Sequence, residues 1–224
     1  MPDKRVERYS RRARWFHALV YIGGLTLLAT GWWLLLGREG DPSLVARLTR
    51  IPDTSLHKII GWAFALSVLL GCLIGWRAAL TFVRESLHVT RSDGKWFVRW
   101  PAALLTGRFG WHDGHFDPGQ RILNLLTTVF LLALTLSGVG LVMVHGGPTF
   151  VWLARLHKWS TYVITPLIAG HIVVASGILP GYRGVWRSMH LGGRLDRRVA
   201  QRLWPAWLIR KHGGSDPSER NHAA

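Results

Sequence analysis

Four long apolar blocks, separated by arginine-rich stretches, dominate the pattern of this chain. The first runs uncharged from Trp15 to Leu36, 22 residues, and a helix that crosses a bilayer needs about 20. The second opens at His57 and continues to about Trp76, or to Phe82 if Arg77 is passed over. The third covers Ile122 to Val144, and the fourth runs from about Val151 to Leu179. A soluble chain breaks its apolar residues into short periodic runs instead. Pro166 falls inside the fourth block, where a membrane helix tolerates the kink because neighbours re-satisfy the freed carbonyl. The first block has basic residues before it, as a signal peptide does. It is too long for such a segment, and no small-residue cleavage site follows Trp32-Trp33-Leu34-Leu35-Leu36, so it reads as a retained helix. The predicted fold is an all-α membrane protein with a bundle of four transmembrane helices.

Charge orients the bundle. The segment up to Arg14 holds six Lys and Arg, Arg77–Arg121 holds seven, and the tail after Leu179 holds nine. The two remaining loops hold three (Arg38, Arg47, Arg50) and one (Arg155), with Lys58 and Lys158 at helix starts. Twenty-two against four predicts a multi-pass membrane protein with both termini cytoplasmic. The organisation expected is a basic N-terminus (1–14), a membrane domain (15–179) and a basic tail (180–224). Within the tail, Gly184 to Arg202 mixes Val, Trp, Met and Leu with Arg and reads as a basic helix lying on the inner membrane surface. The same reasoning accounts for the net charge of +16: it faces anionic lipid and not nucleic acid. Several of the 13 tryptophans sit where apolar runs meet charge (Trp15, Trp32, Trp33, Trp76, Trp152), as in an interfacial belt. Cys72 is the only cysteine, which excludes an internal disulfide, covalent haem attachment through Cys-x-x-Cys-His and a four-thiolate cluster.

Four of the 11 histidines occupy the spans in matched depths. His57 and His157 lie toward the outside, on the second and fourth helices; His17 and His171 lie toward the inside, on the first and fourth. The fourteen residues between His157 and His171 amount to about 21 Å and return to within roughly 40° of one face. Two histidine pairs, each bridging two helices at one depth, are what two b-type haems require. Imidazole on both axial positions closes the iron to oxygen and suits electron transfer. Gly61 near His57, Gly170 beside His171, and Gly23 and Gly24 after His17 would leave flat helix surface for a macrocycle; packing between helices is their other use. His145 precedes Gly146-Gly147-Pro148 and reads as a turn residue. His88, His112, His115, His190, His212 and His222 read as solvated, His112 and His115 being at most a weak metal signal.

The residues Arg14-Trp-Phe-His17, Leu56-His57, Phe116-Asp-Pro-Gly119-Gln120-Arg121 and the His157/His171 spacing, with the tail elements Arg183-Gly-Val-Trp-Arg187, Arg197-Arg198 and Trp204-Pro-Ala-Trp207, are similar to a known family over nearly the whole chain. The chain resembles the gamma, or cytochrome b, subunit of membrane-bound formate dehydrogenase. That resemblance implies an outer haem on His57 and His157, an inner haem on His17 and His171, and a quinone site of Asp117, Gly119, Gln120 and His171. The family typically has Asn where this chain has Asp117. From the residues alone, Asp117, Gln120 and Asn124 gather polar groups at the start of the third span, and Asp117 before Pro118 also makes a helix cap.

The expected function is electron transfer from a periplasmic iron–sulfur subunit, across the membrane, to menaquinone or ubiquinone. The resemblance implies a molybdenum or tungsten subunit that oxidises formate, since nothing in the membrane part reads formate. The cytochrome b of a hydrogenase or thiosulfate reductase, or a stand-alone quinone-linked cytochrome, is the neighbouring alternative. A haem-free anchor or transporter is the alternative of a different class. A transporter calls for carboxylates along an intramembrane path, and the four blocks have none.

Overall fold

The computed structural model describes residues 5–37 and 41–212; Arg38, His222 and the end of the tail lie outside them. The chain order is β1 (Arg5–Glu7), α1 (Arg11–Leu35), α2 (Leu44–Thr49), α3 (Asp53–Ile74), α4 (Trp76–Ser86), α5 (Ser92–Thr106), α6 (Pro118–Met143) and α7 (Gly147–Ala175). A 3-10 turn (Pro180–Tyr182), α8 (Arg187–His190), β2 (Arg194–Asp196), α9 (Arg197–Leu203) and α10 (Pro205–His212) complete it. The four apolar blocks are the cores of α1, α3, α6 and α7. Helices α1, α3 and α6 are long and apolar enough to cross a membrane; α7 qualifies together with Pro180–His190, bent from it by 65°. No residue of α1 is buried by protein. In water that apolar surface would be untenable, whereas in lipid only the backbone must be satisfied, and the helix does so internally.

Residues 15–79 and 126–168 form one compact unit. Side chains join its helices: Trp32 on α1 donates from Nε1 to Thr165 Oγ1 on α7 at 3.0 Å. A Cβ on Gly23 would stand 2.6 Å from the Phe64 ring of α3, and one on Gly140 of α6 2.8 Å from Leu153 of α7. Gly23 is therefore a packing glycine, while Gly24 and Gly61 meet no such obstruction. Trp15, Trp76 and Trp152 are exposed at helix ends, as an interfacial belt requires. Trp32 departs from that expectation, because its indole nitrogen finds Thr165 inside the unit.

Residues 5–14, 80–125 and 169–212 form the second unit. Here the expected all-α fold is corrected. β1 pairs antiparallel with β2 in the register Arg5↔Asp196, Val6↔Leu195, Glu7↔Arg194. Alternation along the strands turns Val6 and Leu195 into a core with Tyr182, Ala200, Leu203, Trp204, Trp207 and Leu208. The tail is likewise not one interfacial helix. Gly192 and Gly193 both take φ near +76°, which ends α8 and lets β2 return to the N-terminal strand; Pro205 then separates α9 from α10. The segment between the second and third spans is helical in α4 and α5. Gly107 closes α5 at φ +72°, its N–H donating to Ala103 O at 2.8 Å.

Candidate functional site

His57 and His157 meet in the first unit, with ring centres 6.3 Å apart and planes at 84°. His57 stands one turn into α3, His157 well inside α7, and both are half-buried. Thr30 Oγ1 of α1 lies 2.7 Å from His57 Nδ1, and Ser137 Oγ of α6 lies 3.0 Å from His157 Nδ1. Each hydroxyl already donates its own proton to its helix: Thr30 to Thr26 O at 3.0 Å and Ser137 to Ala133 O at 2.5 Å. With its proton on the helix carbonyl, each hydroxyl can accept from the imidazole, an arrangement that puts the ring proton on Nδ1. The lone pair left for a metal is on Nε2 in both. A metal held at about 2 Å from two imidazole nitrogens places the ring centres ~6 Å apart, and the observed separation meets that requirement. The pair fits a haem, which these two imidazoles would hold. Among the described residues no three His, Cys, Asp or Glu side chains share a point, but haem iron needs only two from the protein.

His17 is half-buried on α1, in the same unit, with its ring 5.6 Å from that of Tyr21. His171 is half-buried on α7 in the second unit, together with Asp117, Gly119 and Gln120. Asp117 performs the capping role open to it: Oδ1 accepts the Gln120 N–H at 2.9 Å, with Pro118 opening α6. Burial pushes its carboxyl above the usual range, opposed by the Gln120 N–H and by His112, Arg8 and Arg121. Gly119 has a packing cause, since a Cβ there would stand 3.0 Å from the Trp96 ring. Gln120 Nε2 donates to Tyr9 Oη at 3.3 Å, while Oε1 is buried without a hydrogen-bond partner. Turned over, the amide would accept from the Tyr9 hydroxyl and release its donor.

The strongest departure from the sequence reading is the stretch before α6. His112 and His115, expected in solvent, are structural. His112 is 1 % exposed and its Nε2 lies 2.8 Å from Leu203 O. The Arg8 guanidinium sits 4.5 Å from the Trp204 ring centre and 4.4 Å from that of Trp207. It donates to His115 Nε2 at 3.1 Å and to His115 O at 2.5 Å, while the His115 N–H donates to Glu85 at 2.7 Å. Arg121 donates to Phe116 O, His88 O and the Asp93 carboxylate at 3.0, 2.9 and 3.2 Å. These bonds tie the N-terminal strand, α4, α5 and the tail around the start of α6. They were illegible in sequence because arginine-rich segments otherwise read as solvated charge.

Burial, and then Arg8, pull the His115 ring from 6.5 to about 3. Between those values the unfolded chain binds the proton and the folded one does not, so stability falls as pH drops through that window. The thermal midpoint of the wild type should therefore approach that of His115→Gln between pH 7 and pH 4. A constant difference would show that His115 does not titrate on unfolding.

The residues that sequence reasoning missed at the histidine pair are Thr30 and Ser137. The available signal was a hydroxyl within an apolar run, each followed by glycine, in helices neighbouring the histidine helices. No curated protein matches the chain. A sequence model of prokaryotic cytochrome b561 matches residues 8–192, which include all four intramembrane histidines. With that match over most of its length, the chain belongs to the prokaryotic cytochrome b561 family, membrane cytochromes that bind b-type haem and transfer electrons.

Proposed function

We propose that this chain is the di-haem cytochrome b subunit of a quinone-reducing respiratory complex, by its resemblance a formate dehydrogenase. His57 and His157 would hold an outer haem, and His17 and His171 an inner one. The observation that carries the reading is the His57/His157 pair, 6.3 Å apart, with each Nδ1 already engaged. Haem bound at the two pairs would supply reversible one-electron transfer between the faces of the membrane. The chain's own work is to present imidazoles at two depths and to keep water and oxygen from the iron. In the sequence His17 stands near the basic end of the first span and His171 in the second half of the fourth, which supports the inner pair. The excess of basic residues on the N-terminus, the 77–121 segment and the tail supports cytoplasmic termini. An iron–sulfur subunit on the periplasmic side and a molybdenum or tungsten subunit beyond it would be the electron source.

Asp117, Gly119, Gln120 and His171 form the quinone site. Asp117 fixes the first turn of α6 and with it Gln120, whose amide is the group in reach of a quinone carbonyl. Charge develops on that carbonyl as it is reduced, and a positioned donor in a dry site stabilises it far more than one in water. Menaquinone and ubiquinone both offer such carbonyls.

A pyridine haemochrome assay on the purified protein should give two b-type haems per chain; one haem or none overturns the di-haem reading. Gln120→Ala should retain both haems while quinone reduction in the assembled complex slows by about tenfold or more, the loss of one preorganised donor. Unchanged quinone reduction and inhibitor binding would place the site elsewhere.

A further inference from the structure

Thr30-Gly31 and Ser137-Gly138 stand in the same relation to the two histidines of the outer pair. In each, the hydroxyl oxygen stands in hydrogen-bond reach of the imidazole Nδ1, at 2.7 Å from His57 and 3.0 Å from His157. In each, the glycine that follows lies against the Cε1 edge of the same ring. A Cβ built on Gly31 would stand 3.4 Å from His57 Cε1, and one on Gly138 3.3 Å from His157 Cε1. The first is ordinary contact and the second is tighter, so a methyl at Gly31 would touch the atom between the two ring nitrogens and one at Gly138 would press on it. Hydroxyls in membrane helices commonly do nothing beyond donating back to their own helix. Thr26 does so to Ile22 O at 2.8 Å and Thr161 to His157 O at 3.0 Å. Thr30 and Ser137 do this and also receive an imidazole, on two different helices, for the two members of one pair.

We propose that Thr30-Gly31 and Ser137-Gly138 are matched cradles that fix the tautomer and rotation of His57 and His157 and thereby set the reduction potential of the outer haem. The inference rests on the reading that these two histidines ligate one haem. A ring whose Nδ1–H is accepted by oxygen is a more basic ligand at Nε2 and favours the ferric iron. The bond to the helix carbonyl occupies the hydroxyl's one proton and leaves its lone pairs for the ring. The ring is thus held from one edge by a hydrogen bond and from the next by close packing. The near-perpendicular planes of 84° follow from the two cradles belonging to different helices.

Thr30 and Ser137 are positioning residues, and their test reads the haem itself. Thr30→Val keeps the shape and removes the acceptor; Ser137→Ala removes the other; Thr30→Ser restores it. In redox titrations of membranes or detergent-purified protein, each of the first two variants should raise the potential of the outer haem. The ferrous-to-ferric ratio at a fixed potential should rise about threefold or more, which is ~30 mV for one electron. The inner haem should not move. The ferric electron paramagnetic resonance signal of the outer haem, which perpendicular imidazoles make strongly anisotropic, should shift in Gly138→Ala and in Ser137→Ala. Loss of the outer haem from Thr30→Val inserted at the wild-type level, with recovery in Thr30→Ser, supports the same conclusion. Two haems with unchanged potentials and spectra in both Thr30→Val and Ser137→Ala overturn the cradle. Survival of the outer haem in His57→Ala or His157→Ala overturns the ligand reading instead.

Discussion

Alanine in place of His57 or His157 should halve the haem content, from two per chain to one, and the haem lost should be the outer one in both cases. The two imidazoles meet at 6.3 Å, so under the proposed function each would supply one of the two protein bonds to the same iron. Removing either leaves an open axial position in an apolar setting and a gap where the ring stood. No substitute is at hand: Thr30 and Ser137 hold the far edges of the rings, and His145 is exposed after the end of α6. His17→Ala and His171→Ala should each remove the inner haem and spare the outer. The measurement is the pyridine haemochrome ratio together with a redox titration that resolves the two components. Retention of both haems in His57→Ala, or loss of the outer haem in His145→Ala, would overturn the assignment.

The second large effect is on stability. Arg121→Ala should lower the stability of the second unit by about 3 kcal/mol, the lower end of the cost of leaving a buried charge without its partner. The Arg121 and Asp93 side chains are 3 % and 12 % exposed and lie 3.2 Å apart. The same guanidinium also satisfies the carbonyls of Phe116 and His88, and these would be orphaned together. Asp93 keeps the Thr90 N–H and hydroxyl, at 3.1 and 2.6 Å, which moderates the loss. For a chain of this size ~3 kcal/mol corresponds to a fall of roughly 10 °C in the thermal midpoint. The outer haem should keep its spectrum, since His57 and His157 belong to the other unit. A variant that melts with the wild type would show that the ion pair contributes little. One that loses the outer haem first would show that the two units are not independent in this respect.

What the residues themselves declare is set by the demand that lipid makes on every segment separately. A spanning helix must be apolar along its whole length, whatever its neighbours do. Trp15–Leu36, His57–Trp76, Ile122–Val144 and Val151–Leu179 could therefore be read one at a time, and α1, α3, α6 and α7 each cover most of one. The histidines stood out for the same reason, because a polar ring in such a block is costly. Capping at Asp117 was also visible, since a cap is a matter of three residues in a row. Tertiary structure alone decided the rest. Which hydroxyl meets which imidazole depends on the rotation of two helices about their axes, and Thr30 and Ser137 are 27 and 20 residues from their partners. The short strand Arg5–Glu7 has no local signature and exists because the tail turns at Gly192-Gly193 to pair with it. Arg8, Arg121, His112 and His115 looked like solvated polar residues. They are buried or half-buried because their partners are gathered from the N-terminus, the 80–125 segment and the tail, which no single stretch of sequence contains.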